Sequence, residues 1–294
     1  PAWYKKTYMH QTVASGQTSV IYTVIEGYAA LALLLDYEDR CWIHDGITNN
    51  FIGLNRDLTE RITFEGEKTE GPAQGHVQCT ALSPSKQRLY WNKGKGFITI
   101  ITLKEDKEQE LADSVSDTNW TRCLEVSDGE EYLLGIAEDC TGFCIYDVKK
   151  QRRIHTVKTG TDPWGEGKVY AGKFASGQSQ KVVLVGDKLV KGKHVASIWL
   201  WSVGPSQEPL CSLHFEVDRP FCLLAREQTS GVFIATDSQK DVLLFRLTDD
   251  NKLQIVQWVR DVHADLPLHL YAKEDKILTC SQANKVSLIF FSLD

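Results

Sequence analysis

A repeat constrains this chain more than any other feature. The runs FITIITLK at 97–104, GFCIYDVK at 142–149, SIWLWSVG at 197–204, DVLLFRLT at 241–248 and VSLIFFSL at 286–293 share one texture. Each is rich in branched, aromatic and apolar residues, the composition that suits a pleated, buried surface. Aligned at their ends, at Leu103, Val148, Val203, Thr248 and Leu293, they are spaced by 45, 55, 45 and 45 residues. The longer interval contains GDKLVKGKHVA at 186–196, expected to be an additional loop, and CWIHD at 41–45 starts the series. A period of about 40–45 residues with four strands per unit is the signature of a β-propeller.

The units can be read strand by strand. In the third, TRCLEVSD is the inner strand, EYLLGIAED the second, GFCIYDVKK the third and RRIHTVKTG the outer one. In the fifth, FCLLAREQ, GVFIATD, DVLLFRLTDD and LQIVQWVRD fill the same places. Polar turn sequences such as SDGEE at 127–131 and TDDNK at 248–252 separate them. KEDKEQELADSV at 104–115 reads either as a helix or as an outer strand with its turn. The expected fold is all-β, one propeller over residues 19–294 after a lead-in segment at 1–18. Between Asp45 and Leu103 there is room for one blade and a loop, or for a degenerate extra blade near FIGLNRDLTERITFEG. That leaves six blades or seven. The last unit stops after its third strand, and an open sheet edge invites aggregation. SVIYTVIE at 19–26 is the strand expected to fill the vacant place and close the ring.

The pattern resembles the WD40-repeat family. Gly75-His76 stands before the strand VQCTALSP, as the Gly-His dipeptide of that family does. Tyr146-Asp147 stands where the family has Trp-Asp, and Trp201-Ser202 and Phe245-Arg246 are weaker versions. Asp139 and Asp237 fall in the turn before the third strand. The resemblance implies that His76, Asp139, Tyr146, Asp147, Trp201 and Asp237 are structural repeat residues. No unit carries all four members of the family's His, Asp, Ser/Thr and Trp network. The N-terminal stretch also resembles the short W-K-x-x-Y helix that follows the F-box in F-box proteins, through Trp3, Lys6 (or Lys5) and Tyr8. The F-box itself is then expected upstream of Pro1. That resemblance implies a substrate receptor of a cullin–RING ubiquitin ligase, with ligase adaptor and cullin as partners.

Composition narrows the function. The formal net charge of -6 argues against broad nucleic-acid binding. The longest apolar run, AALALLL at 29–35, is far short of the roughly 20 residues a membrane-spanning helix needs. The eight cysteines are dispersed through apolar runs and do not form a compact disulfide framework, which points to a reducing compartment, the cytoplasm or else the nucleus. Asn119-Trp120-Thr121 is an isolated glycosylation triplet.

Reactive constellations are not evident. Cys140 and Cys144 have no second pair with which to build a zinc site, and read as core or edge thiols. GTDPWGEGKVYAGK at 160–173 fails the phosphate-loop pattern, because Asp162 stands where the first glycine belongs and Val169 follows Gly167-Lys168. The basic run KKQRRIH at 149–155 reads as a solvated strand end. The expectation is a protein-interaction domain without catalytic residues, metal or cofactor, recognising a protein or peptide. A general scaffold without a ubiquitin role and a hydrolase using channel carboxylates are the alternatives. Trp120, Arg122, Trp164 and Arg219 fall near predicted blade junctions and are the candidates for a partner-binding rim, since Trp and Arg are enriched at binding hot spots. Their competing role is packing between blades for Trp and surface ion pairing for Arg.

Overall fold

The computed structural model describes residues 10–12, 19–21, 30–38, 40–45, 48–55, 60–66, 80–94, 97–111, 122–159, 167–175, 177–204, 208–216, 219–237, 241–262, 267–281 and 286–291. Every regular element among them is a β-strand. The chain divides into two compact units, Pro1–Gly75 and His76–Asp294.

In the first unit β1 (His10–Thr12) pairs with β2 (Ser19–Ile21). β3 (Ala30–Leu35), β4 (Cys41–Asp45), β5 (Phe51–Leu54) and β6 (Glu60–Phe64) form an antiparallel sheet in chain order. Trp42 organises it, stacked on Phe51 at 6.0 Å and on Phe64 at 6.3 Å. Its indole N–H donates to Asp36 Oδ2 at 3.0 Å, which satisfies a polar group that burial would otherwise strand. Gly53 makes room for the ring: a Cβ there would lie 2.8 Å from Trp42.

The second unit holds five sheets, each ordered along the chain. They are β7 (Thr80–Leu82), β8 (Arg88–Gly94), β9 (Phe97–Thr102) and β10 (Lys107–Glu110); β11 (Cys123–Val126), β12 (Tyr132–Ile136), β13 (Gly142–Asp147) and β14 (Arg152–Lys158); β15 (Gly167–Ala175), β16 (Gln178–Val190), β17 (Lys193–Ser202) and β18 (Cys211–Phe215); β19 (Phe221–Arg226), β20 (Val232–Asp237), β21 (Val242–Leu247) and β22 (Leu253–Val259); and β23 (Pro267–Lys273), β24 (Lys276–Ser281) and β25 (Val286–Phe290). With the sheet of the first unit this makes six blade-type sheets, and the chain is an all-β propeller in fold class.

Both faces of a sheet are buried. On β13, Phe143 and Ile145 join a core with Val182, Leu184 and Trp201 of the next sheet. The intervening Cys144 and Tyr146 join a second core with Tyr90, Ile98 and Ile100 of the previous sheet. β21 repeats the arrangement, Leu243 and Phe245 facing Ile198 and Leu200, Val242 and Leu244 facing Ile277. The two-residue period of a strand thus feeds two interfaces at once. Successive first strands, β7, β11, β15, β19 and β23, are neighbours in that order.

Several expectations are corrected or refined. CWIHD is β4, the second strand of its sheet; the third is β5, and from Leu54 the spacing to Leu103 falls in line with the later repeats. Residues 107–110 are strand, which settles the helix-or-strand choice. The stretch 186–196 is not a loop but an extension of β16 and β17. Gly186 in it marks a register shift against β15, where a Cβ would meet Lys168 O at 1.9 Å. Over its described part, Ser19–Ile21, the strand expected to close the ring pairs with β1; residues 22–26 lie outside the described residues. Trp3, Lys5, Lys6 and Tyr8 also lie outside them; within the lead-in segment at 1–18, His10–Thr12 is strand.

The strand ending at Tyr146-Asp147 has a local cause. Tyr146 is fully buried, while Asp147 Oδ1 accepts the Lys150 N–H at 2.9 Å and so caps the turn. Trp201 is also fully buried, but its ring meets Phe143 of the neighbouring sheet edge-on, with centroids 5.2 Å apart. It is an inter-sheet anchor. Trp201→Ala is expected to lower the unfolding free energy by about 3–5 kcal/mol in urea denaturation, and Trp201→Phe by less than half of that.

Candidate functional site

The first strand of each sheet ends in a turn to the second, and in the second unit those turns are stitched to one another. Three begin with a side chain that caps its own turn. Ser83 Oγ accepts the Arg88 N–H at 3.0 Å, Ser127 Oγ accepts the Tyr132 N–H at 3.0 Å, and Glu227 accepts from the Ser230 hydroxyl at 2.7 Å. Other groups reach across sheets. The Ser85 N–H donates to Glu130 Oε1 at 2.7 Å, and the Glu274 N–H to Glu227 Oε1 at 3.0 Å. Lys173 on β15 pairs with Glu125 on β11. Arg226 on β19 donates to Phe174 O at 2.6 Å and to Asp128 Oδ1 at 2.5 Å, so it spans from the fifth sheet past the fourth to the third.

Glu125, Lys173, Arg226, Glu227 and Glu274 of these, with Tyr271 and Lys273, line a cavity of about 370 Å³. That is the size range of small-ligand and peptide side-chain sites. Tyr271 is 60% exposed and presents an aromatic surface at its edge. Burial opposes ionisation of Glu227, but the hydrogen bonds it accepts from Ser230, Thr229 and Glu274 prevail and hold its pKa at about 2. Burial likewise disfavours the Lys173 ammonium, and the Glu125 carboxylate beside it overrides that and raises its pKa. The site therefore presents fixed, fully ionised charges of both signs at neutral pH.

Among the described residues no group of three or more His, Cys, Asp or Glu side chains could hold a metal. Ser197 Oγ lies 2.8 Å from His214 Nδ1, the contact a nucleophilic hydrolase uses. Yet Ser197 is fully buried, its hydroxyl donates to Val195 O at 3.1 Å, and the second imidazole nitrogen faces Ser212 Oγ at 3.1 Å and not a carboxylate. It is a bond that ties β17 to β18. Cys144 is buried with its pKa pushed up to about 12 by desolvation, and Cys140 is raised for the same reason; both are free thiols.

The residues singled out from sequence are placed unevenly. Trp120, Trp164 and His76 lie outside the described residues. Arg122 and Arg219 precede β11 and β19, at the end of the first strands opposite to the cavity. Arg122 lies over the Tyr170 ring of the next sheet, 5.4 Å from its centroid, and burial pushes the Tyr170 hydroxyl up to about 12. Arg219 is half-buried. Asp139 Oδ1 accepts the Thr141 N–H at 3.0 Å, and Asp237, which ends β20, accepts the Asp241 N–H at 3.0 Å; both shape turns before a third strand. The cavity residues were missed. Their signal is the repeated Ala225-Arg226-Glu227 and Ala272-Lys273-Glu274, a polar pair closing an apolar first strand.

No protein-family model matches the chain, and no curated protein matches it in sequence. Solved structures are similar in fold. The β-propeller domain of Cps50 (Swd1) from Myceliophteria thermophila has a TM-score of 0.69 at 8% identity, over 90% of this chain and 84% of that one. A chain of the mitotic checkpoint complex has a TM-score of 0.68 at 11% identity, over 93% and 78%. A chain of Kuenenia stuttgartiensis hydrazine synthase has a TM-score of 0.65 at 10% identity, over 95% and 80%. At such identities the likeness establishes the propeller fold.

The Glu227 carboxylate supplies a pH test. Its folded pKa is depressed from 4.5 to about 2, so its stabilisation is present above the unfolded value and lost as pH falls through the folded one. Glu227→Gln is expected to cost about 1–3 kcal/mol at pH 7 and progressively less toward pH 2, read as converging urea midpoints of the two proteins.

Proposed function

We propose that this propeller is a non-catalytic protein-interaction domain that holds a segment of a partner at the hairpin end of its first strands. One observation carries the reading. A cavity of about 370 Å³ is walled by turns and strand ends of several sheets, with ionised groups already fixed by hydrogen bonds. Groups held in advance lose little freedom when a ligand arrives, which is what makes a rigid surface bind well. Charges of both signs beside an exposed tyrosine suit a polar peptide better than an apolar small molecule. One of the structurally similar chains comes from the mitotic checkpoint complex, by its name an assembly.

The finer reading is a substrate receptor of a cullin–RING ubiquitin ligase, acting in the cytoplasm or nucleus. It is supported by the W-K-x-x-Y resemblance of Trp3, Lys6 and Tyr8. In that role the domain would supply proximity, raising the local concentration of its target near the ubiquitin carrier. Capture of the full-length protein from cells should then recover a ligase adaptor and a cullin; reproducible recovery of other proteins without them supports a plain scaffold. Combined Tyr271→Ala and Lys273→Glu substitutions are expected to reduce recovery of the recognised protein about tenfold with the melting temperature unchanged. Undiminished recovery would remove the cavity from the binding surface.

A further inference from the structure

We propose that His155 is a pH-sensitive latch: its neutral ring holds β14 of the third sheet against the fourth sheet, and its protonation lets that strand open. The side chain is 5% exposed, and its Nε2 has no hydrogen-bond partner among the described residues. Register explains how a polar ring comes to lie there. His155 stands opposite Ile145 and Arg153 opposite Tyr146, so Ile154 is an extra residue in β14. Paired residues share a face. Ile145 faces the core shared with the fourth sheet and Tyr146 the core shared with the second, so the bulge turns His155 toward the fourth sheet and Arg153 away from it. The imidazole then meets a ring from each sheet: Phe143 with centroids 5.9 Å apart, and Trp201 at 6.3 Å.

A neutral imidazole can leave Nε2 as a bare acceptor, at the cost of one unmade hydrogen bond. An imidazolium would bury a charged N–H with no oxygen to accept it, which costs far more. Nothing around it carries the opposite charge. β13, β16 and β17 turn Phe143, Ile145, Val182, Leu184, Trp199 and Trp201 into this core, none of them ionisable. Its other ionisable side chains are the Cys123 thiol, pushed up to about 11 by burial, and the Tyr132 phenol. Thiols and phenols are uncharged in mild acid, so neither offsets a cation. The hairpin that carries His155 is itself basic, with Lys149, Lys150, Arg152, Arg153 and Lys158, and its acid, Asp147, is paired with Lys150 at 3.0 Å. Burial accordingly lowers the His155 pKa from 6.5. With the folded value below the unfolded one, the latch holds fully above the unfolded value and weakens as pH falls below it. Among the described residues β14 pairs with β13 alone, and a strand at the end of a sheet opens at lower cost than one inside it.

The test is amide hydrogen exchange of the intact protein, corrected for the intrinsic rate at each pH and read over β14 and over β20 of the fifth sheet. From about pH 7 to about pH 5 the protection of β14 is expected to fall about tenfold, within what uptake of one proton on opening allows, while β20 keeps its protection. His155→Gln keeps a polar side chain that cannot charge, and His155→Phe removes the polar atoms; in both the fall is expected to vanish. Two variants are used so that either one, shown folded by its thermal midpoint, decides the matter. His44 and His214, whose pKa values burial also lowers, are present in all three proteins, so the difference isolates His155. Constant protection of β14 in the unaltered protein would overturn the proposal. So would a fall of the same size in the variants, or one shared equally by β20.

Discussion

Alternate side chains of a single strand fill two different cores, and the rest of the structure depends on this. Phe143 and Ile145 of β13 pack one way, Cys144 and Tyr146 the other. A sheet that is apolar on both faces cannot be left alone in water. Burying each large side chain contributes about 1.5–3 kcal/mol, and a geometrically matched aromatic pair such as Phe143 and Trp201 adds about 0.5–1.5 kcal/mol. The stabilisation therefore lies between sheets as much as within them, and each sheet is the template for the next. This is the energetic pattern of repeat architectures, in which neighbour terms sum along the array.

Charged side chains gather at the edges that this packing leaves. At the hairpin end of the first strands, side chains cap backbone N–H groups and cross to adjacent sheets. Glu227 does both, serving its own turn through Ser230 and the next sheet through the Glu274 N–H. The low pKa of that carboxylate and the raised pKa of Lys173 are consequences of the same arrangement, since each charge is held where a partner already waits. A surface made this way owes its rigidity to the apolar stack beneath it.

How much of this was legible in the sequence depended on distance along the chain. The strands of the third and fifth sheets, and the repeat that relates them, follow from local composition and turn residues, and they appear where expected. CWIHD was misplaced because second and third strands are both buried and carry the same kinds of residue. The stretch 186–196 reads as a loop because lysine and glycine are poor strand formers. It is strand because its flanks are already paired, and a Lys-Gly turn with positive φ matches the twist of a hairpin. The cavity was hidden for a different reason. Arg226 finds Asp128 and Lys173 finds Glu125 across sheets, and nothing local in the sequence announces a pairing made by stacking. Two short echoes, Ala-Arg-Glu at 225–227 and Ala-Lys-Glu at 272–274, were available but carry meaning only once the first strands are superposed. Tyr146 and Trp201, chosen by analogy with a family network, occupy core positions set by contacts between sheets.

The reach of Arg226 has a mechanical corollary. Its guanidinium touches the fourth sheet through a carbonyl and the third through a carboxylate, so three leaves are pinned by one planar group. A planar fork tolerates little shear. Twisting the third leaf relative to the fifth would strain both contacts together. These three leaves should consequently move as one stiff body, with compliance displaced to the strands that Arg226 does not reach.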